Sequence, residues 1–200
     1  MLVIAMGMAL VVSTRELVQL RAENAKLRVE TGVLKVTDRE RVWVLQLKAL
    51  DDMTWRWKVY LPPGRWTLRA VTEEIPKTGF PTARIGHVAA YTHVEKVGRV
   101  VQVEAAVRKA PDGRWQLITN LDGPGMRKVL RERHALTMAH KKYESGAAGA
   151  NRERAFELDG PIVVLKVRAA ALSSEYNYSV RPVPDEPCDG LMLWLEQDRP

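Results

Sequence analysis

From residue 41 onward the apolar side chains recur at every second position, which is the spacing of a β-strand with one face buried. Trp43, Leu45, Leu47 and Ala49 alternate through 42–50. In 54–61, Trp55, Trp57, Val59 and Leu61 share one face, and Thr54, Arg56, Lys58 and Tyr60 share the other. Pro62-Pro63-Gly64 ends that strand, and Trp66, Leu68 and Ala70 resume the pattern beyond the turn. Val101, Val103, Ala105 and Val107 alternate with polar or small residues. Pro111-Asp112-Gly113 then turns the chain, and Trp115, Leu117 and Leu121 return. Segments 99–108 and 114–121 therefore read as a hairpin. Pro161 to Val167 is an apolar run suited to a strand buried on both faces, and Asp189-Gly190 leads into the closing strand Leu191–Leu195. The prolines and acids of 182–187 mark a surface loop. Seven or eight strands punctuated by Gly and Pro predict a mainly β chain, a β-sandwich or barrel-like domain.

Residues 14–35 follow a different period. With Leu20, Leu27 and Leu34 at heptad position d, position a holds Leu17, Asn24 and Thr31. Position g holds Glu16, Glu23 and Glu30, and position e holds Arg21, Arg28 and Lys35. In a parallel pair each g residue faces the e residue of the partner's next heptad, so Glu16–Arg21, Glu23–Arg28 and Glu30–Lys35 all match in sign across two chains. Asn24 at an a position is the polar choice that sets register and favours two strands. Each exposed pair contributes about 0.2–1 kcal/mol, and a helix this short is marginal alone. The segment is expected to pair as a parallel homodimer. A heteromeric coil and a single amphipathic helix packed on its own domain are the alternatives. Gly32 suits a helix stop.

Met1 to Val12 is almost wholly apolar, and no charge precedes Arg15. Twelve to fourteen helical residues reach about 20 Å, short of a hydrocarbon core of about 30 Å. No basic stretch precedes the run, as a secretory signal would require. The segment is read as a membrane anchor whose opening residues are missing, with a signal-like segment and a buried core helix as alternatives. The expectation is a single-pass protein with its folded domain outside the cytoplasm. An apolar start followed by Gln19-Leu20-Arg21-Ala22-Glu23-Asn24-Ala25-Lys26-Leu27 resembles the juxtamembrane coil of small single-pass bacterial envelope proteins. Cell-division coil proteins and the rod-shape scaffold family share that layout. The β region carries no glycine-repeat pattern of that scaffold family.

Between the hairpin and the closing strands the pattern breaks. Gly123-Pro124-Gly125 opens the break, and Met126, Val129, Leu136 and Tyr143 fall near one side of a helix over 126–143. Ser145 to Ala150 reads as a flexible connector. The expected organisation is thus an apolar segment 1–14, a coiled-coil helix 14–35, a β-rich domain made of 38–122 and 152–200, and a basic helical insertion with its connector at 123–151.

Charge sharpens this picture. The chain of 200 residues carries a net +7. Residues 124–154 hold eight Lys/Arg against three Asp/Glu, whereas 155–200 hold four against eight. Arg127, Lys128, Arg131, Arg133, Lys141 and Lys142 could contact an anionic lipid or an acidic polymer. A solvated basic face is the plainer reading. Specific nucleic-acid binding is not expected, because no recognised motif or interleaved aromatic cluster accompanies these residues. An apolar fraction of 46% and a charged fraction of 28% exclude wholesale disorder.

Catalytic and metal chemistry find little support. A single cysteine, Cys188, excludes an intrachain disulfide and a multi-cysteine zinc site. Its neighbours Glu186 and Asp189 disfavour a thiolate. No G-x-S-x-G, glycine-rich phosphate loop or H-E-x-x-H occurs. His134 and His140 are six apart, not four, and His87 and His93 are too far apart to share a metal without strong bending. Asp51-Asp52 reads as turn chemistry. No catalytic residue, cofactor or metal is expected. Trp55 and Trp57 could stack on sugar rings if exposed, which makes a carbohydrate- or polymer-binding β module the alternative function. At alternating inward positions they read as core. The favoured function is a non-enzymatic, membrane-associated interaction protein that displays a β-sandwich on a self-associating coil.

Overall fold

Alternation does produce strands here, and in greater number than the pattern predicts. A computed structural model describes residues 14–24, 27, 31–49, 51–81, 88–95, 97–123, 125–131, 143–150, 152–169 and 185–198. Among them are one helix, α1 (described at 14–24, 27 and 31), and eleven strands: β1 (Val42–Gln46), β2 (Thr54–Leu61), β3 (Arg65–Val71), β4 (Val88–Val94), β5 (Arg99–Lys109), β6 (Trp115–Leu121), β7 (Met126–Val129), β8 (Tyr143–Ala147), β9 (Arg154–Phe156), β10 (Ile162–Ala169) and β11 (Gly190–Asp198). The strands form two antiparallel sheets, β7-β6-β5-β2-β1-β9 and β4-β3-β11-β10-β8. The pair is a sandwich and not a closed barrel.

The core lies between the sheets. Trp55, Trp57, Val59 and Leu61 of β2 meet Trp66, Leu68 and Ala70 of β3, together with Leu191, Leu193 and Leu195 of β11. Val101, Val103, Ala105 and Val107 of β5 complete it from one side, and Ile162, Val164, Leu165 and Val167 of β10 from the other. Burying each large apolar side chain contributes about 1.5–3 kcal/mol. The 99–121 hairpin has its expected turn. The Gly113 amide donates to the Ala110 carbonyl at 2.9 Å, and Gly113 takes φ +82°. β10 is apolar on both faces, with a register shift between Val163 and Leu165. Its outward Val163 packs on a second cluster of Val71, Ile75, Met192 and Trp194. That cluster lies under the 72–81 loop, where Phe80 meets Trp194 edge-on at 5.8 Å between ring centroids.

The phase of β1 needs explanation. Val42 and Val44, not Trp43 and Leu45, face the core. Leu45 is nonetheless fully buried. The outer face of this sheet is covered by the chain itself over 32–41. Trp43 Nε1 donates to the Asp38 carbonyl at 2.7 Å, and the Tyr60 hydroxyl donates to the Arg39 carbonyl at 3.4 Å. Apolar residues on both faces left the alternation unable to say which one faces the core.

The basic helical insertion is corrected. Met126–Val129 is a strand, β7, paired with Gln116–Thr119 of β6. Tyr143–Ala147 is also a strand, β8, paired with β10. The two join different sheets, so 123–151 contributes edge strands to the sandwich. Residues 132–142 lie outside the described residues. The expected connector is likewise structural. The Ala148 amide donates to the Val164 carbonyl at 3.0 Å, and the Gly149 carbonyl accepts from the Gln46 amide at 3.0 Å. This short crossing links the two sheets, and a Cβ on Gly149 would run into the Val44 carbonyl oxygen.

The β1–β2 turn bears out Asp51 as turn chemistry. Its carboxylate accepts from the Met53 amide and the Thr54 hydroxyl, both at 2.9 Å. The Thr54 hydroxyl, joined by the Met53 amide, holds the Asp51 carboxyl below its ordinary value, against a smaller opposing effect of burial. A depressed native pKa contributes stability above the ordinary carboxylate value and loses it as pH falls through the native one. Asp51→Ala should therefore lower the thermal midpoint near neutrality by the equivalent of less than about 1 kcal/mol, since the group is exposed and screened. The gap to wild type should narrow as pH falls from about 5 to 3. Melting curves across that range check it, and a gap constant with pH would contradict the assignment.

Candidate functional site

The segment that covers the outer face of the six-stranded sheet also fixes the root of α1. Helical geometry runs over the described residues 14–24, 27 and 31. The Thr31 hydroxyl donates back to the Leu27 carbonyl at 2.7 Å. Gly32 then takes φ +66° and stops the helix. It is buried, and a Cβ there would lie 2.9 Å from Leu47 Cδ2. Arg41 braces the strap below it, reaching Asp38 at 3.2 Å and Glu157 at 2.9 Å.

Above this root every described helical residue is exposed. Leu17 is 49% exposed, Leu20 63% and Leu27 52%. Leu17, Leu20, Asn24 and Leu27 follow the 3-4-3 spacing that puts them on one face. Glu16, Arg21 and Glu23 are exposed beside them. Arg28 and Glu30 lie outside the described residues. The reading of a helix packed on its own domain fails, because the leucines are uncovered. Leu34 and Lys35 are corrected: both lie past the Gly32 stop, Leu34 half-buried and Lys35 exposed. The third heptad therefore ends early. Among the described residues there is one short helix, and no second helix with which it could form a coiled coil.

The single-pass localisation is overturned. Among the described residues no helix is long and apolar enough to cross a membrane. The reason is visible in α1, where Arg15, Glu16, Arg21 and Glu23 place charge on every turn. The apolar run 1–12 lies outside the described residues.

The predicted basic cluster is only partly gathered. Arg127 is exposed and Lys128 half-buried on the edge strand β7. Arg131 follows, 4.0 Å from the Glu73 carboxylate. Arg133, Lys141 and Lys142 lie outside the described residues. The tryptophans are core: Trp57 is fully buried and Trp55 is 9% exposed. That removes the sugar-stacking platform on β2.

One constellation was invisible in the sequence. Thr67, His93 and Asp198 come from three adjacent strands, β3, β4 and β11. The Thr67 hydroxyl donates to Asp198 Oδ1 at 2.9 Å and lies 2.7 Å from His93 Nδ1. With its one proton given to Asp198, the hydroxyl accepts from Nδ1–H. Arg65 Nε also reaches Asp198 Oδ2 at 3.1 Å. This is not a nucleophile–base–carboxylate relay, because the imidazole does not stand between hydroxyl and carboxylate. The Thr67 hydroxyl is moreover buried, at 1% exposure for the residue. The three groups tie strands together. His87, His134 and His140 lie outside the described residues, among which no cluster of three metal-ligating side chains occurs. Cys188 is half-buried, and its backbone bridges to Ile75.

Comparison with known families, curated proteins and solved structures finds no match to this chain.

Proposed function

We propose that this chain is a non-enzymatic interaction protein whose exposed helix pairs in parallel with that of a second copy and displays two β-sandwiches side by side. The observation that carries this reading is the exposure of Leu17, Leu20 and Leu27 on one face of α1. Three leucines in water on a rooted helix are an unpartnered seam. The flanking charges favour a second copy as the partner. Glu16 and Glu23 of one chain meet Arg21 and Arg28 of the other, whereas an antiparallel pair would lose that match. Asn24 pairs with its own counterpart across the seam and disfavours higher oligomers.

Charge reversal tests the pairing without touching the sandwich. A Glu16→Lys, Glu23→Lys, Glu30→Lys triple variant should be monomeric alone in sedimentation equilibrium. Mixed with an Arg21→Glu, Arg28→Glu variant, it should recover a heterodimer. Recovery shows that the g/e pairs set the partner. Self-association of the triple variant alone, or no complex in the mixture, would refute the parallel arrangement.

A further inference from the structure

We propose that the groove between β9 and the start of β10 binds an extended acidic peptide by strand addition. This surface lies on the side of the sandwich and is independent of the helix pairing. Among the described residues both of its walls end in open strand edges. β9 is the last strand of the six-stranded sheet and pairs through Val42–Val44 of β1. The Gln46 amide points toward that side, where it meets the Gly149 carbonyl. By alternation Val44 and Val42 exchange hydrogen bonds with Arg154 and Phe156. The N–H and C=O of Ala155 therefore turn away from the sheet. On the opposite wall, β8 covers β10 only over Leu165–Ala169, and its last contact is the Ala148 amide on Val164. Ile162 and Val163 lie beyond its end.

The groove between these edges has a volume of about 430 Å³. Ala148, Phe156, Ile162 and Val163 give it apolar walls, and Arg154 and Lys166 are the charged residues among those that line it. The Arg154 guanidinium lies 5.0 Å from the centre of the Phe156 ring, a cation–π contact that leaves its edge available. The Lys166 amine donates to the Lys77 carbonyl at 3.0 Å. Burial pushes its pKa down, and the neighbouring Arg168 pushes the same way, with a smaller opposing effect from Cys188. A carboxylate would relieve that repulsion. The occupant so defined has a backbone that can pair with β9, apolar side chains on alternate positions and acids between them. β9 offers three residues of edge, about 10 Å.

Other occupants fit less well. Two copies joined edge to edge through β9 would bring Arg154 close to its own counterpart. The chain leaves Ala169 and enters Tyr143 as a pair at the opposite end of β10 from the groove, so those connections start far from it.

The test uses the full chain and a capped peptide, acetyl-Val-Glu-Val-Glu-Val-amide, read by amide NMR. Saturable binding is expected, with the Ala155 and Ile162 amides shifted and the Ala155 amide slowed in hydrogen exchange. Arg154→Glu should weaken binding at least tenfold with an unchanged melting midpoint. A peptide methylated on its central backbone nitrogens should not bind, and neither should the Lys analogue. Octanoate supplies charge and apolar surface without a backbone. Octanoate binding as tight as the peptide, or equal binding of the methylated peptide, would overturn strand addition. Absence of any shift at Ala155 would overturn the site.

Discussion

Leu20→Glu is expected to turn the proposed dimer into a monomer while the sandwich melts at an unchanged temperature. The effect is expected to be large because a seam leucine counts twice. Burying Leu20 in both chains contributes about 3–6 kcal/mol, which is roughly two to four orders of magnitude in Kd. The variant also opposes two carboxylates at one level of the coil. Val18 provides the control, since it is as exposed as Leu20, at 65% against 63%. Val18 sits next to a seam position but off the leucine face, so Val18→Glu should leave the dimer intact. Sedimentation equilibrium over a range of concentrations separates the outcomes. If wild type is monomeric throughout, or both variants behave alike, the exposed leucines do not form a seam.

Gly190→Ala should be the most destabilising single methyl addition in the sandwich. Gly190 opposes Arg168 at the start of β11. A Cβ there would run into the Val167 carbonyl oxygen and lie 3.2 Å from Arg168 Cα. These are backbone atoms of a central strand, so relief requires β10 and β11 to part. The same end of β10 anchors two outer segments. The Arg168 guanidinium, buried at 3% exposure, donates to the Glu186 carbonyl at 2.8 Å and the Ile75 carbonyl at 3.4 Å. Displacing that strand loosens the 72–77 and 185–189 segments together. Overpacking of this kind costs about 3 kcal/mol, or about 6–12 °C of melting midpoint in a domain this large. Gly146 lies in the edge strand β8 and has nothing within 4 Å of a Cβ. Gly146→Ala should stay within about 0.5 kcal/mol of wild type. Equal midpoints for the two variants would mean that Gly190 is not pinched between the strands.

The hairpin of β5 and β6 was legible because every signal for it is local. Val101, Val103, Ala105 and Val107 alternate, and Pro111-Asp112-Gly113 turns the chain within a few residues. The stop of α1 at Gly32 was legible for the same reason. Met126 to Val129 misled the reading because a four-residue apolar-basic stretch fits both periods, and only its pairing with Gln116–Thr119 chooses the strand. Ser145 to Ala150 misled it differently. Small residues suit a linker, but they also suit a crossing that must pass close to the Val44 carbonyl. The leucines placed on one face of α1 are exposed as far as Leu27. Leu34 was assigned to that face because sequence spacing continues across Gly32, whereas the backbone does not. The groove beside β9 left no trace in sequence. Arg154, Phe156 and Lys166 are brought together by two sheets meeting at one side.

By itself, the amino-acid order determined that the fold of this chain is mainly β, that residues 14–31 carry a charged leucine stripe, and where several turns fall. Those properties depend on neighbours a few positions away, so periodicity and turn chemistry report them directly. Tertiary structure alone decided that β11 lies between β3 and β10, that both faces of β1 are covered, and that α1 stands clear of its own domain. These outcomes turn on contacts between residues far apart in sequence. There the choice among many apolar surfaces is made by which of them can be packed at once.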